Sequence, residues 1–224
     1  MNFGLSTESA VRVSSHMLAP WEIHDVQFKG VEVRHIQGKK DPTATYDILS
    51  IKYGDEDGGY YNLDMFFPKA GDDQVREFPG ANGGTIKFPS TVMTITKTIQ
   101  QTIEVLNPEG LKELAGKNYT DFNALATDFA KIMEPVIGKK TKLKLVGKNR
   151  NGRVEPATPR IVSMSKEGQP YISANYIGDK LFWTPWEEGQ REAFKNAKPS
   201  EAPKEEVMKI EEAPADDLNI DDLL

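Results

Sequence analysis

Apolar and polar residues alternate along several stretches between residues 20 and 67, the pattern typical of β-strands with one buried face. We predict a first strand over 20–37, bent or interrupted by a bulge near Gly30 because the alternation changes register there. A second strand is predicted over 45–53 and a third over 60–67, joined by a turn at 55–59. Together they predict an antiparallel sheet.

Helical spacing replaces this alternation in the middle of the chain. Apolar residues at steps of three and four predict a helix over 90–106 with Ser90 as its cap, although the many threonines and isoleucines leave a strand open. A second helix is predicted over 120–133 with Thr120 as its cap. The stretch 68–89, rich in glycine, aspartate and proline, is predicted to be a long loop.

Strand patterns return after the helices. Residues 140–145 predict a strand, and Asn149–Gly152 has the residues of a tight hairpin turn. Further strands are predicted over 160–165 and 171–177, and a short helix over 188–196.

This order of elements indicates a fold class. Three strands, a helical insertion at about 90–134 and two or three more strands predict a mostly β protein over residues 1–196. A small barrel with its helix between the third and fourth strands is the arrangement of the oligonucleotide-binding (OB) fold. A generic α+β sandwich is the alternative.

Residues 197–224 have a different composition, dominated by proline, alanine, glutamate and lysine. Such a segment buries too little apolar surface to offset chain entropy, so we predict a disordered tail. Residues 196–224 contain nine acids and three bases, which equals the net charge of -6 of the whole sequence. Four large aliphatic residues interleave with aspartates at 216–224, which predicts a short peptide that a partner binds.

The stretch 139–160 has the opposite charge, with eight bases and one acid. Lys140, Lys142 and Lys144 alternate with Thr141, Leu143 and Leu145, so a strand would turn the lysines outward and the leucines to the core. We predict a polyanion-binding ribbon here; lysines that protect a sheet edge from pairing are the alternative. The candidate basic residues, to which Lys52 is added from the second strand, are Lys52, Lys139, Lys140, Lys142, Lys144, Lys148, Arg150, Arg153 and Arg160.

Aromatic residues occur on or beside several predicted strands, with polar neighbours at alternate positions. Rings beside lysines are what a single-strand binder needs, because bases stack on the rings while the ammonium groups neutralise phosphates. We predict that Tyr60, Phe66 and Tyr171 are the exposed rings of such a surface.

The sequence offers little for catalysis. There is no cysteine, which excludes disulfides and thiolate chemistry, and no GxGxxG, GxxxxGK[ST] or GxSxG motif. His16, His24 and His35 match no short metal pattern. We predict a protein without enzymatic activity, cofactor or metal, and a hydrolase that uses Asp55, Asp57 or the histidines is the catalytic alternative. No apolar run of about 20 residues and no signal-peptide pattern occur, which predicts a cytoplasmic protein without membrane contact.

The strand-rich domain, the basic and aromatic residues, and the acidic tail together resemble the single-stranded DNA-binding proteins of tailed bacteriophages and, more distantly, of bacteria. The tail residues that carry this resemblance are Asp216, Asp217, Leu218, Ile220, Asp221, Asp222, Leu223 and Leu224. The bacterial pattern Asp-Asp-Asp-Ile-Pro-Phe is replaced here by Asp-Asp-Leu-Leu.

The resemblance implies a function and partners. We expect a protein that coats single-stranded DNA in replication, recombination and repair, and whose tail recruits a polymerase, helicase or primase and competes with DNA for the basic groove. The oligomeric state stays open, including a homo-oligomer. A structural, scaffold or virion-assembly protein whose basic strand and acidic tail bind other chains is the alternative function.

Overall fold

The alternating stretches of the first half form strands. The computed structural model describes residues 15–38, 41–79, 85–114, 116–159, 163–164, 170–171 and 175–197. Its first strands are β1 (His16–Met17), β2 (Glu22–Gln37), β3 (Thr45–Gly54) and β4 (Gly59–Phe66). The three long ones confirm the predicted strands, and a register shift between Phe28 and Gly30 confirms the predicted bulge.

The segment predicted to be a long loop contains a short hairpin, β5 (Arg76–Pro79) with β6 (Thr85–Phe88). The prediction was wrong here because four-residue strands are too short to show a period among so many turn residues. Phe78 and Phe88 pack edge to face, with ring centroids 5.4 Å apart, which holds the hairpin together.

Helices follow where the spacing of apolar residues predicts them. They are α1 (Thr91–Leu106), the short α2 (Gly110–Leu114), which the sequence did not predict, and α3 (Phe122–Met133), which a single 3₁₀ turn (Glu134–Val136) extends. Ser90 caps α1 as predicted, its side chain accepting from the Met93 amide. Asp121, rather than the predicted Thr120, caps α3 by accepting from the Asn123 amide.

The second half adds the strands β7 (Lys140–Arg150), β8 (Arg153–Ala157), β9 (Ser163–Met164) and β10 (Pro170–Tyr171), and the helix α4 (Pro185–Asn196). β9 and β10 pair with each other, and much of the strands predicted over 160–165 and 171–177 lies outside the described residues. α4 begins at Pro185, three residues before its predicted start, because Thr184 and Glu187 form a capping box. None of the helices in the described ranges is long and apolar enough to cross a membrane.

The main sheet has six strands in the order β1-β4-β3-β2-β7-β8 and curls into a nearly closed, OB-fold-like barrel. β2 pairs with β7 through Glu22–Gln27 and with β3 from Gln27 onward, so the bulge joins two halves of the barrel wall. Near the remaining gap, the Thr158 amide donates to the Tyr61 hydroxyl of β4 at 3.1 Å. The three helices lie between β4 and β7 in the chain, as the OB arrangement predicts.

The core fills the barrel and the space between the barrel and the helices. Its side chains come from the inward positions of the strands and from one face each of α1 and α3. Phe28, Leu49, Ile103, Phe129 and Leu143 are among the completely buried members. Leu143 and Leu145 point inward, as the alternation of β7 predicts.

Lys144 departs from that alternation. We predicted an exposed row of three lysines, but Lys144 is completely buried, because α4 and the residues before it cover this part of the outer surface. Its ammonium group donates to both carboxylate oxygens of Glu187, at 3.0 and 3.1 Å, and to the Phe182 carbonyl at 2.9 Å. The Trp183 ring lies 5.3 Å away. Lys144 therefore fastens α4 to the barrel.

Three tyrosines share a buried region between the barrel and α1. Tyr53 and Tyr176 have buried side chains, and the Tyr61 side chain is 8% exposed. Burial raises the pKa of Tyr176 to about 12 and also raises the pKa of Tyr53 and Tyr61. The Tyr176 hydroxyl lies 2.5 Å from Thr102 Oγ1.

We expect Lys144→Met to lower the free energy of unfolding by about 3–5 kcal/mol, because it leaves the Glu187 carboxylate buried without its partner. The matched control is Lys142→Met, two residues away on the same strand face, where an exposed pair with Asp25 is lost. We expect Lys142→Met to lower the free energy of unfolding by less than about 1 kcal/mol. Urea unfolding of both variants measures the difference. Equal losses of unfolding free energy in the two variants would show that the buried Lys144–Glu187 pair stabilises the fold no more than the exposed pair does.

We also expect the fold to lose stability above pH 10. The folded-state pKa of Tyr176 is raised from 10.0 to about 12, so its stabilisation is complete below pH 10 and is lost as the pH rises through about 12. Tyrosinate absorbance and far-ultraviolet circular dichroism, followed together, should show the buried phenols ionising as the fold opens. Tyr176→Phe should flatten this alkaline slope. Ionisation of every phenol near pH 10 without unfolding would contradict this expectation.

Candidate nucleic-acid interface

The outer face of β2, β3 and β4 brings several predicted residues together. In β4 the exposed positions alternate with inward ones, so Tyr60, Asn62, Asp64 and Phe66 face outward. Cross-strand pairing places Lys52 beside Asn62 and Ser50 beside Asp64 on the same side. We call this surface, with Glu32 and Arg34 of β2 and Tyr46 of β3, the outer sheet face. Lys52, Tyr60 and Phe66 therefore share one surface.

An aromatic pair lies at one end of the outer sheet face. Phe66 is 54% exposed and packs edge to face against Tyr46, with centroids 6.2 Å apart and an interplanar angle of 89°. Lys69 Nζ lies 4.5 Å from the Tyr46 ring centroid, a distance at which the cation is attracted to the ring. Tyr60 is at the other end of β4, about 20 Å away at the usual rise per residue.

Charged side chains lie between the two aromatic ends. Arg34 donates to Ser50 Oγ at 3.1 Å and to the Asp64 carboxylate at 2.6 Å, and the Ser50 hydroxyl donates to the same carboxylate. Lys52 forms an ion pair with Glu32. These partly exposed pairs fix the positions of the cations but are weak enough in water to be exchanged for another anion.

Lys29 belongs to the same surface. It follows Phe28 at the bulge, and a Cβ at Gly54 would lie only 3.1 Å from its Cε, so its aliphatic stem crosses β3 at a position without a side chain. Its ammonium group donates to Gln27 Oε1 at 2.8 Å. Register connects Lys140, Gln27, Gly54 and Tyr60 in one row across four strands. Lys140 and Tyr60 are thus about 14 Å apart along the sheet.

Lys140 and Lys142 face outward as predicted, but among acids. Lys140 pairs with Glu56 at 2.7 Å and Lys142 with Asp25 at 2.6 Å. The hydrogen bond with Lys140 lowers the pKa of Glu56, and the same bond raises the pKa of Lys140. The surrounding cleft has a volume of about 670 Å³ and is lined by five carboxylates and these two lysines. This part of the predicted basic ribbon therefore has an excess of negative charge.

The β7–β8 hairpin keeps the positive charge that the sequence predicts. Lys148, Arg150 and Arg153 are exposed, and Glu155 faces Lys148 across the hairpin and lies 3.5 Å from Arg150. Asn151 and Gly152 form the two-residue turn, with φ of 52° and 79°. Positive φ at both positions is the requirement of a type I′ turn, which explains the choice of Asn-Gly.

Other predicted residues lie elsewhere. Lys139 donates to the Leu106 carbonyl at 2.7 Å and so caps the C-terminus of α1. Lys144 is buried and so lies outside any groove, which corrects its assignment to an exposed row. Tyr171 is in β10, where only the backbone is described, and Arg160 and residues 216–224 lie outside the described residues.

Sequence reasoning missed Lys29, Arg34, Tyr46 and Lys69. Register could have found Tyr46, because the turn between β3 and β4 fixes which β3 side chains share a face with Phe66. Arg34 also required the register of β2 with β3. The position of Lys29 on this surface depends on where the bulge lies in β2. The position of Lys69 depends on the path of the chain after β4. Neither is visible in the periodicity.

The sequence matches no protein-family model, and no curated protein is significantly similar to it.

Proposed function

We propose that the protein binds single-stranded DNA with little sequence preference, protects it during DNA replication, recombination and repair, and recruits replication proteins through residues 216–224. The binding surface is the outer sheet face, and the exposed cations of the β7–β8 hairpin lie further along β7, beyond its pairing with β2. The recruited class is a polymerase, helicase or primase, as the resemblance to phage proteins implies. A cytoplasmic location, in the host if the source is a phage, accompanies this proposal.

One observation carries the proposal. Phe66 and Tyr60 are exposed at opposite ends of the same strand face, and Arg34 and Lys52 lie between them. Bases stack on exposed rings whatever their identity, and cations between the rings neutralise phosphates. An OB-like barrel is one of the folds that presents such a surface to oligonucleotides.

The acidic tail adds a means of regulation. Residues 196–224 carry a charge of -6 and are tethered to a body whose remaining residues carry equal numbers of acids and bases. A tethered anion visits nearby cations at a high effective concentration. DNA bound to the exposed hairpin cations would displace it, so partners would reach the tail most easily when DNA is bound.

We expect Phe66→Ala to weaken binding of oligo(dT) about five- to a hundredfold, because one stacked base contributes about 1–3 kcal/mol. Phe78→Ala is the matched control, since Phe78 is also about half exposed and also packs edge to face on a neighbouring ring. Fluorescence anisotropy at low salt measures both. Equal affinities of the two variants and the native protein would remove the outer sheet face from the binding surface.

We expect binding to fall about a hundredfold between 50 and 200 mM salt, which corresponds to about five neutralised phosphates at a slope of about 0.7 each.

Removing residues 213–224 should tighten binding at low salt, because a competing anion is lost. Replacing Asp216, Asp217, Asp221 and Asp222 by asparagine should act in the same direction. Unchanged affinity in both variants would rule out competition by the tail. A salt-resistant oligomer indifferent to DNA would favour the scaffold alternative.

A further inference from the structure

A groove lies among the helices and borders the sheet at Asp47 and Phe67, which follow Tyr46 and Phe66 of the outer sheet face in the chain. It has a volume of about 1090 Å³ and is bounded by α1, α2, α3 and the segment that follows β4. This volume exceeds the usual range of small-molecule pockets, about 300–1,000 Å³. It is large enough to take several side chains of one face of a helix.

The floor of the groove is apolar. Ile99 and Ile103 of α1 form its base, and Leu114 and Leu125 line its sides. Phe67 and Phe122 pack edge to face at one end, with ring centroids 4.6 Å apart. Apolar side chains that bind to such a floor are removed from water, which favours binding.

The rim of the groove is acidic. Asp47, Asp73 and Asp121 line it. The Asp47 carboxylate lies 2.5 Å from His35 Nδ1, and the Asp121 carboxylate accepts from the Asn123 amide, so each keeps one oxygen for another donor. Lys117 is also on the rim, but its ammonium group lies 2.8 Å from the Asp128 carboxylate. The Tyr119 hydroxyl donates to the same carboxylate at 2.7 Å. The hydrogen bond with Lys117 lowers the pKa of Asp128, and the same bond raises the pKa of Lys117, so both groups are charged at neutral pH and cancel.

These charges select between possible occupants. The chain's own tail has large aliphatic residues, but its charge of -6 would be repelled by an acidic rim. We infer that the groove binds an amphipathic, cationic segment of a partner protein, in which large apolar side chains enter the floor and flanking lysines or arginines contact Asp47, Asp73 and Asp121. This inference is independent of DNA binding.

The test uses a fluorescein-labelled helical peptide of leucine and lysine, about four turns long, with leucines on one face. Fluorescence anisotropy with the full chain at about 150 mM salt should show saturable binding in the micromolar range. The same peptide with glutamate in place of lysine should not bind. Failure of the lysine peptide to saturate at about 100 µM protein would overturn the inference.

Two threonines provide a matched pair of variants. Thr96 lines the groove and Thr127 does not, yet both are exposed helical residues whose hydroxyls donate 2.8 Å bonds to the carbonyl four residues earlier. Thr96→Trp should block the groove and weaken the lysine peptide at least about tenfold, whereas Thr127→Trp should change it less than about twofold. Equal effects would show that the peptide binds elsewhere.

Charge reversal provides a second pair that does not fill the groove. Asp73→Lys on the rim should weaken the lysine peptide about fivefold, and Glu192→Lys on α4 should not. Weakening by both variants to the same extent would show only general attraction to an acidic protein, and would overturn the inference.

Other occupants give different results. Binding of a peptide with the sequence of residues 213–224, lost in Thr96→Trp, would identify the chain's own tail as the occupant and overturn the charge argument. A fall in molecular mass on Thr96→Trp, measured by light scattering, would identify a second copy of the chain instead. Unchanged oligo(dT) affinity in Thr96→Trp is expected in every case, which separates this test from that of the proposed function.

Discussion

The pairing of one strand, β2, with two different neighbours determines the architecture. Its first part hydrogen-bonds to β7 and its second part to β3, and the change occurs at the bulge between Phe28 and Gly30. Gly30 has φ of 126°, a conformation that residues with a Cβ rarely adopt. Without this bend the sheet would stay open, and the core between the barrel and the helices would lose one wall.

The sequence predicts those elements whose environment is set by local periodicity. β4 has one exposed face along its length, so alternation located it, and the Asn-Gly turn located the β7–β8 hairpin. Alternation failed at Lys144, because α4, about 40 residues later, covers the outward face of β7 there. Alternation shows which residues lie on each face of a strand, but it does not show which later segment of the chain packs against that face.

Charge is less predictable than periodicity for the same reason. The stretch 139–160 is strongly basic as a sequence, yet its lysines have separate roles in the fold. Lys139 caps a helix, Lys140 and Lys142 meet acids from distant turns and strands, and Lys144 is buried. The aromatic residues of the candidate surface were easier to predict, because the alternation of β4 puts Tyr60 and Phe66 on its exposed face.

The attachment of α4 has a mechanical consequence. The chain that continues beyond Ala197 leaves from a helix held by the buried Lys144–Glu187 pair, and the Arg191 side chain donates to the Trp21 carbonyl at 3.2 Å. Tension applied to the end of the chain would therefore load these contacts before it reached the hydrogen bonds between barrel strands. The contacts of α4 would break first, while the strands of the barrel stay paired.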